Sequence, residues 1–189
     1  KLSAWRGFFD WLTEQVPLAS NPVDGVKAQT RAKPLPKALS ADDAVRLVSE
    51  TSPGKDAESA AQRCNRAMFE LLYSSGLRVS ELVQLDVRYV EDAKYVSAGW
   101  IDADANEVLV TGKGNKMRSV PVGQPAMAAI SAWLALRTSI AKPGEHALFI
   151  NERGTRMSPR VVQLRLKAHA QALGIPADVH PHVLRHSFA

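Results

Sequence analysis

His180-Pro181-His182-Val183-Leu184-Arg185-His186-Ser187-Phe188-Ala189 gathers three of the chain's five histidines around one arginine. Pro181 suits the first turn of a helix, which puts His182, Arg185 and His186 at i, i+3 and i+4 on one face. Such a face can grip a phosphate: the guanidinium fork bonds two non-bridging oxygens, and an imidazole donates to an oxygen that gains charge in a transition state. An amphipathic helix with Val183, Leu184 and Phe188 in a core accounts for the same residues equally well. Zinc fits less well, because Val183 stands where an HExxH motif has glutamate, and the single Cys64 leaves further ligands to come from elsewhere. No metal site is assigned.

Outward from this stretch, 189 residues of which 46% are hydrophobic suffice for one sizeable core and part of a second domain. The net charge of +5 points to an acidic partner. Nucleic acid fits best, since there is neither an apolar run of about 18 residues nor an amphipathic anchor, and membrane insertion is not expected. Cys64 shares a helical apolar pattern with Met68 and Leu71 and reads as a core thiol in a reducing cytoplasm. Lys1 falls inside a helical pattern without initiator methionine or signal peptide, and Ala189 falls inside an unfinished one. The chain is expected to be the middle of a longer protein.

Leu2, Trp5, Phe8, Phe9, Leu12 and Val16 recur at helical spacing up to Pro17 and the Asn21-Pro22 turn, and so much aromatic surface calls for upstream partners. Residues 23–39 read as a linker whose Lys27, Arg31, Lys33 and Lys37 can track a phosphate backbone, or simply keep a strap solvated. Ser40 and Asp43 predict a capped helix to about Ser49. A longer helix follows with Cys64, Ala67, Met68, Leu71 and Leu72 buried and Gly76 as its C-cap. Directly after it comes Gly76-Leu77-Arg78-Val79-Ser80-Glu81-Leu82, a turn into a new helix. Arg78 and Glu81 lie one turn apart, so the carboxylate can orient that arginine or a neighbour; as a plain surface pair they contribute about half a kcal/mol or less.

Residues 86–98 carry no clear pattern. Trp100-Ile101, Glu107 to Thr111 and Met117 to Val122 predict three short strands, the last two joined by the tip Gly112-Lys113-Gly114-Asn115-Lys116. The tip is not a P-loop, because GxxxxGK[ST] is absent. Its lysines suit either solubility or a groove of DNA. Gln124 to Ile140 predicts a helix with Met127, Ile130, Trp133 and Leu134 inward, and Leu148 to Ile150 a short buried strand or extended segment ending in the Asn151-to-Gly154 turn. Ser158-Pro159 opens a further helix that stops at Gly174, decorated by Arg160, Arg165, Lys167 and His169 as a candidate DNA-facing stripe.

Singly these features are weak, but their order is specific. Gly-Leu-Arg78-Val-Ser-Glu81-Leu, then Gly-Lys113-Gly-Asn-Lys before a strand, then His182-Val-Leu-Arg185-His186 resembles the signature of the tyrosine recombinases, within which it is similar to the bacterial Xer type. The resemblance covers nearly the whole chain. It implies a mainly α fold with a small antiparallel sheet (α+β): the recombinase catalytic domain over residues 40–189, incomplete at its C-terminal end. Residues 1–22 would end an N-terminal helical DNA-clamping domain, with residues 23–39 as the basic linker.

By the same resemblance, Arg78 and Arg185 grip the scissile phosphate, His182 donates to it, and Lys113 protonates the leaving 5′ oxygen, with Lys116 as the fallback in another hairpin register. Glu81 and His186 support the cluster, and Lys33, Lys116, Arg118 and Arg160 are the implied DNA contacts. Two arginines neutralise the charge that builds on the phosphate without a metal, and the phosphotyrosine link stores the bond energy, so no cofactor is implied. The family's nucleophilic tyrosine falls downstream of the His-x-x-Arg helix. None of Tyr73, Tyr89 or Tyr95 matches its place, so the fragment alone is expected to bind phosphate without cleaving DNA. Residues 89–106 are longer than the matching join in compact Xer members and look like an insertion. The function implied is site-specific recombination in the bacterial cytoplasm, resolving chromosome dimers on double-stranded DNA, in a heterotetramer with a sister recombinase and with a cell-division DNA translocase as a further partner. An integrase of a phage or mobile element, or a non-catalytic DNA-binding relative, shares the same motifs.

Overall fold

The computed structural model describes residues 2–27, 39–50, 58–112, 114, 116–175, 179, 181 and 184. It divides into two units, Lys1–Leu35 and Pro36–Ala189.

In the first unit, α1 (Leu2–Gln15) has the predicted apolar spacing, and none of its residues is buried. Trp5, Phe8 and Trp11 are exposed, and Trp5, Phe8 and Phe9 touch one another along the helix. The chain then folds back on α1 through Asn21, whose side-chain amide donates to Asp10 Oδ1 at 2.7 Å and to the Arg6 carbonyl at 3.1 Å.

The second unit runs α2 (Ala41–Ser49), α3 (Ala60–Ser75), α4 (Val79–Gln84), β1 (Leu85–Asp86), β2 (Gly99–Asp102), β3 (Glu107–Thr111), β4 (Met117–Pro121), α5 (Gln124–Ile140) and α6 (Pro159–Ala172). Side-chain caps open three of these helices. Ser40 accepts from the Asp43 amide, Ser59 and Gln62 close a reciprocal capping box, and Ser158 accepts from the Val161 amide, each satisfying an otherwise orphaned N–H. Gly76 ends α3 at φ 57°, in the left-handed region that a side chain disfavours.

The core lies where α3 packs along α5 and also meets α2, α4 and α6, with α4 in turn against β2; Leu47, Met68, Phe69, Leu72, Ile130, Trp133 and Phe149 are fully or almost fully buried. The predicted small sheet is present, with strands ordered β1-β2-β3-β4. The β2–β3–β4 part is antiparallel, as expected, and the two-residue β1 adds a parallel pair to β2. Sequence reading left β1 unassigned because two residues carry no alternation. Beyond α6, Val179, Pro181 and Leu184 are buried, and Pro181 and Leu184 are helical.

Candidate phosphate-binding site

The site begins at the join between α3 and α4. Gly76 turns the chain, Leu77 is buried as an anchor, and Arg78 follows with extended backbone (φ −75°, ψ 149°) as the residue preceding α4. One turn later Glu81 is buried, and its carboxylate reaches back: Oε2 accepts from the Arg78 amide at 2.8 Å and Oε1 from Arg78 Nη1 at 2.9 Å. The guanidinium is thereby oriented while the Arg78 side chain stays 54% exposed. Among the described residues Glu81 is the acceptor this guanidinium meets.

A second arginine completes the cluster. Arg118, on β4, donates from Nη2 to Glu81 Oε2 at 3.0 Å. Burial by itself would raise the Glu81 carboxyl, but the bonds from Arg118 and from the amide and guanidinium of Arg78 outweigh it and hold the group below its ordinary 4.5. Glu81 is therefore a buried anion with two cationic partners, well beyond the surface pair that i,i+3 spacing alone suggests.

The β3–β4 hairpin that carries Arg118 is closed at its tip by the Gly112 amide, which donates to the Lys116 carbonyl at 2.8 Å, with Gly114 at φ 79°. Lys116 is exposed at this tip. Arg160 is exposed at the start of α6. Lys33, Lys113, His182, Arg185 and His186 lie outside the described residues. Of the predicted site residues, the structure thus brings together Arg78, Glu81 and Arg118.

The candidate stripe on α6 divides. Arg160 and Lys167 face outward. Arg165 turns inward to Asn65 Oδ1 at 3.3 Å, and the His169 ring lies against Phe69, with Nε2 3.0 Å from the Leu47 carbonyl. Burial chiefly pushes the His169 imidazole below its ordinary value, against backbone bonds that raise it. The i, i+4 pair Arg165 and His169 borders the Val162-Leu166-Ala170 core stripe, so helical geometry turns them inward where composition suggested DNA.

Sequence reading missed a second polar cluster. Asp86 is wholly buried and accepts from Tyr95 at 2.8 Å, Ser97 at 2.6 Å and Arg156 Nη2 at 2.5 Å. Arg156 also donates to Tyr95 Oη at 2.8 Å and to the Val83 carbonyl at the end of α4 at 2.9 Å. Burial, with the bond to Asp86, pushes the Tyr95 phenol up to about 12. The only signal in the sequence was an aspartate between apolar residues directly after a short helix.

The sequence profile of the phage integrase family matches residues 37–189. The whole chain aligns at 54% identity over 194 residues with the tyrosine recombinase XerC of Ralstonia pickettii (strain 12J), covering 58% of that protein. It aligns at 42% identity with XerC of Salmonella typhi, covering 57% of it. The chain therefore spans a little over half the length of the curated relatives it matches, and the Xer-type resemblance of its motifs is borne out. Among solved structures, XerA recombinase superposes with a TM-score of 0.64 at 26% identity, over 82% of this chain and 50% of that one. The XerH recombinase in its post-cleavage complex with difH DNA has the same fold, with a TM-score of 0.66 at 18% identity over 96% of this chain and 52% of that one.

Proposed function

The chain belongs to the phage integrase family, and on that premise we propose that it forms most of the catalytic domain of a site-specific tyrosine recombinase. Its whole protein would cut and rejoin double-stranded DNA through a 3′-phosphotyrosine link and resolve chromosome dimers in the bacterial cytoplasm. The observation that carries this reading is Arg78, ordered by a buried carboxylate yet with its side chain about half exposed. A free arginine loses about 2 kcal/mol of rotamer freedom when it is fixed, and Glu81 has already fixed this one. Negative charge that builds on a phosphodiester in its transition state then meets a donor that needs no reorganisation.

The remaining roles rest on the motifs. Arg185 supplies the second guanidinium and His182 a further donor, while Lys113 gives the leaving 5′ oxygen its proton, with Lys116 as the alternative. A tyrosine of the full-length protein attacks phosphorus; Tyr95 is unsuited, since its hydroxyl is committed to Asp86 and stays protonated. Double-stranded DNA is the substrate, and a sister recombinase and a cell-division DNA translocase are the proposed protein partners.

The test uses the full-length protein and a nicked suicide DNA carrying the dimer-resolution site of the encoding bacterium. Wild type should form a covalent adduct visible on a denaturing gel, and Arg78→Ala should reduce its rate on the order of 10²–10³-fold, as loss of a transition-state donor does. Salt-sensitive binding without adduct would overturn the catalytic reading, and an adduct confined to the attachment site of a mobile element would replace dimer resolution by integration.

A further inference from the structure

Arg118 sits where an arginine is least expected. In the β3–β4 register it lies opposite Val110, and Val120 lies opposite Val108; both β3 valines are buried. Strand alternation therefore puts Arg118 and Val120 on the core-facing side of β4, while Met117, Ser119 and Pro121 are exposed. A cation on that side needs an acceptor. It finds Glu81, already bonded to Arg78. Gly112, where the hairpin tip begins, leaves room for this approach: a Cβ there would come within 3.1 Å of Arg118 Nη1. Finally, β4 is an edge strand, paired in the sheet to β3 among the described residues, so the Arg118–Glu81 bond ties it to α4 in addition to that ladder and to the packing of Val120.

Building on the recombinase reading above, we propose that Arg118 is a positioning residue that ties the lysine-bearing hairpin to the carboxylate orienting Arg78. Glu81 is then a bracket with one arginine on each oxygen. Through it the hairpin and Arg78 meet the scissile phosphate in one fixed relation, and Arg118 itself need not touch DNA.

Arg118→Met keeps the length and the apolar stem but removes the bond to Glu81. In the full-length protein, the hairpin amides, that of Gly112 among them, should exchange hydrogen faster in Arg118→Met than in wild type. Single-turnover adduct formation at saturating DNA should slow on the order of 10–100-fold, the effect of a small misplacement of reacting groups. DNA affinity and its salt dependence should stay within about threefold of wild type, since no phosphate contact is lost. Arg118→Lys, which can restore one bond, should recover part of the rate. The double variant Glu81→Gln/Arg118→Met should be little slower than the worse single variant, because both break one bracket.

A fall in affinity with a salt slope shallower by about one, and an unchanged rate at saturation, would make Arg118 a phosphate contact and overturn the proposal. Unchanged hairpin exchange would also overturn it, as would a lower melting temperature with an unchanged saturating rate. Hydrogen exchange reads the tether without any catalysis. If wild type forms no adduct, the recombinase reading falls, and the exchange result still decides whether Arg118 holds the hairpin.

Discussion

Burial alone would push the Glu81 carboxyl up, yet it lies below its ordinary 4.5 because Arg118 and both the amide and guanidinium of Arg78 donate to it. A carboxylate depressed in the folded state adds stability that is present above pH 4.5 and is lost as the pH falls through the lower folded value. Denaturant titrations should therefore show wild type losing stability between neutral pH and pH 3 more steeply than Glu81→Gln. At neutral pH, Glu81→Gln should be less stable by about 1–3 kcal/mol, the range for weakening buried charge-assisted bonds. Equal pH slopes in the two proteins would show that this carboxylate is not the one titrating. Cys64 shows the opposite effect: burial raises its thiol to about 12 against the pull of Arg165, so at neutral pH it is the inert core side chain its helical spacing suggested.

Elements with local signals were legible in the sequence: the Ser40 and Ser158 caps, the Gly76 stop and the β3–β4 hairpin each follow from residues within a few positions. β1 was harder to read, because two residues are too few for periodicity, and it exists only by pairing with β2 and bridging Ala147. Glycines make the same distinction. Gly144 and Gly154 both lie at positive φ, 77° and 74°. A Cβ on Gly144 meets nothing, whereas on Gly154 it would lie 2.3 Å from the Ile140 carbonyl oxygen. Gly144→Ala should then be destabilised by roughly the 1–2 kcal/mol of left-handed strain, and Gly154→Ala by clearly more, since backbone must also move. Urea midpoints of the two variants measure the difference.

At the scale of the whole second unit, the Asp86 cluster joins segments far apart in sequence: β1, the loop bearing Tyr95 and Ser97, and Arg156, which also holds the Val83 carbonyl at the end of the helix that carries Glu81. Arg137 and Glu145 extend it, with Arg137 donating to the Ala147 carbonyl and Glu145 accepting from the Arg156 amide. Removing Arg156 leaves a buried aspartate without its cation. Arg156→Met should lower unfolding free energy by about 3–5 kcal/mol, read as a shifted denaturant midpoint at an unchanged slope. A loss below 1 kcal/mol would mean that Tyr95 and Ser97 suffice for Asp86.

The sequence by itself determined the family, the Ser40 and Ser158 caps, the Gly76 stop, the hairpin and the one-turn spacing that lets Glu81 meet Arg78, because each rests on spacings along the chain. It could not tell that Arg118 would join that pair, that Asp86 would gather Tyr95, Ser97 and Arg156, or that Arg165 and His169 would face inward. Those partners lie from 9 to 122 residues apart. A buried charge has to find its acceptor wherever packing brings one within about 3 Å, and only the tertiary structure sets that distance.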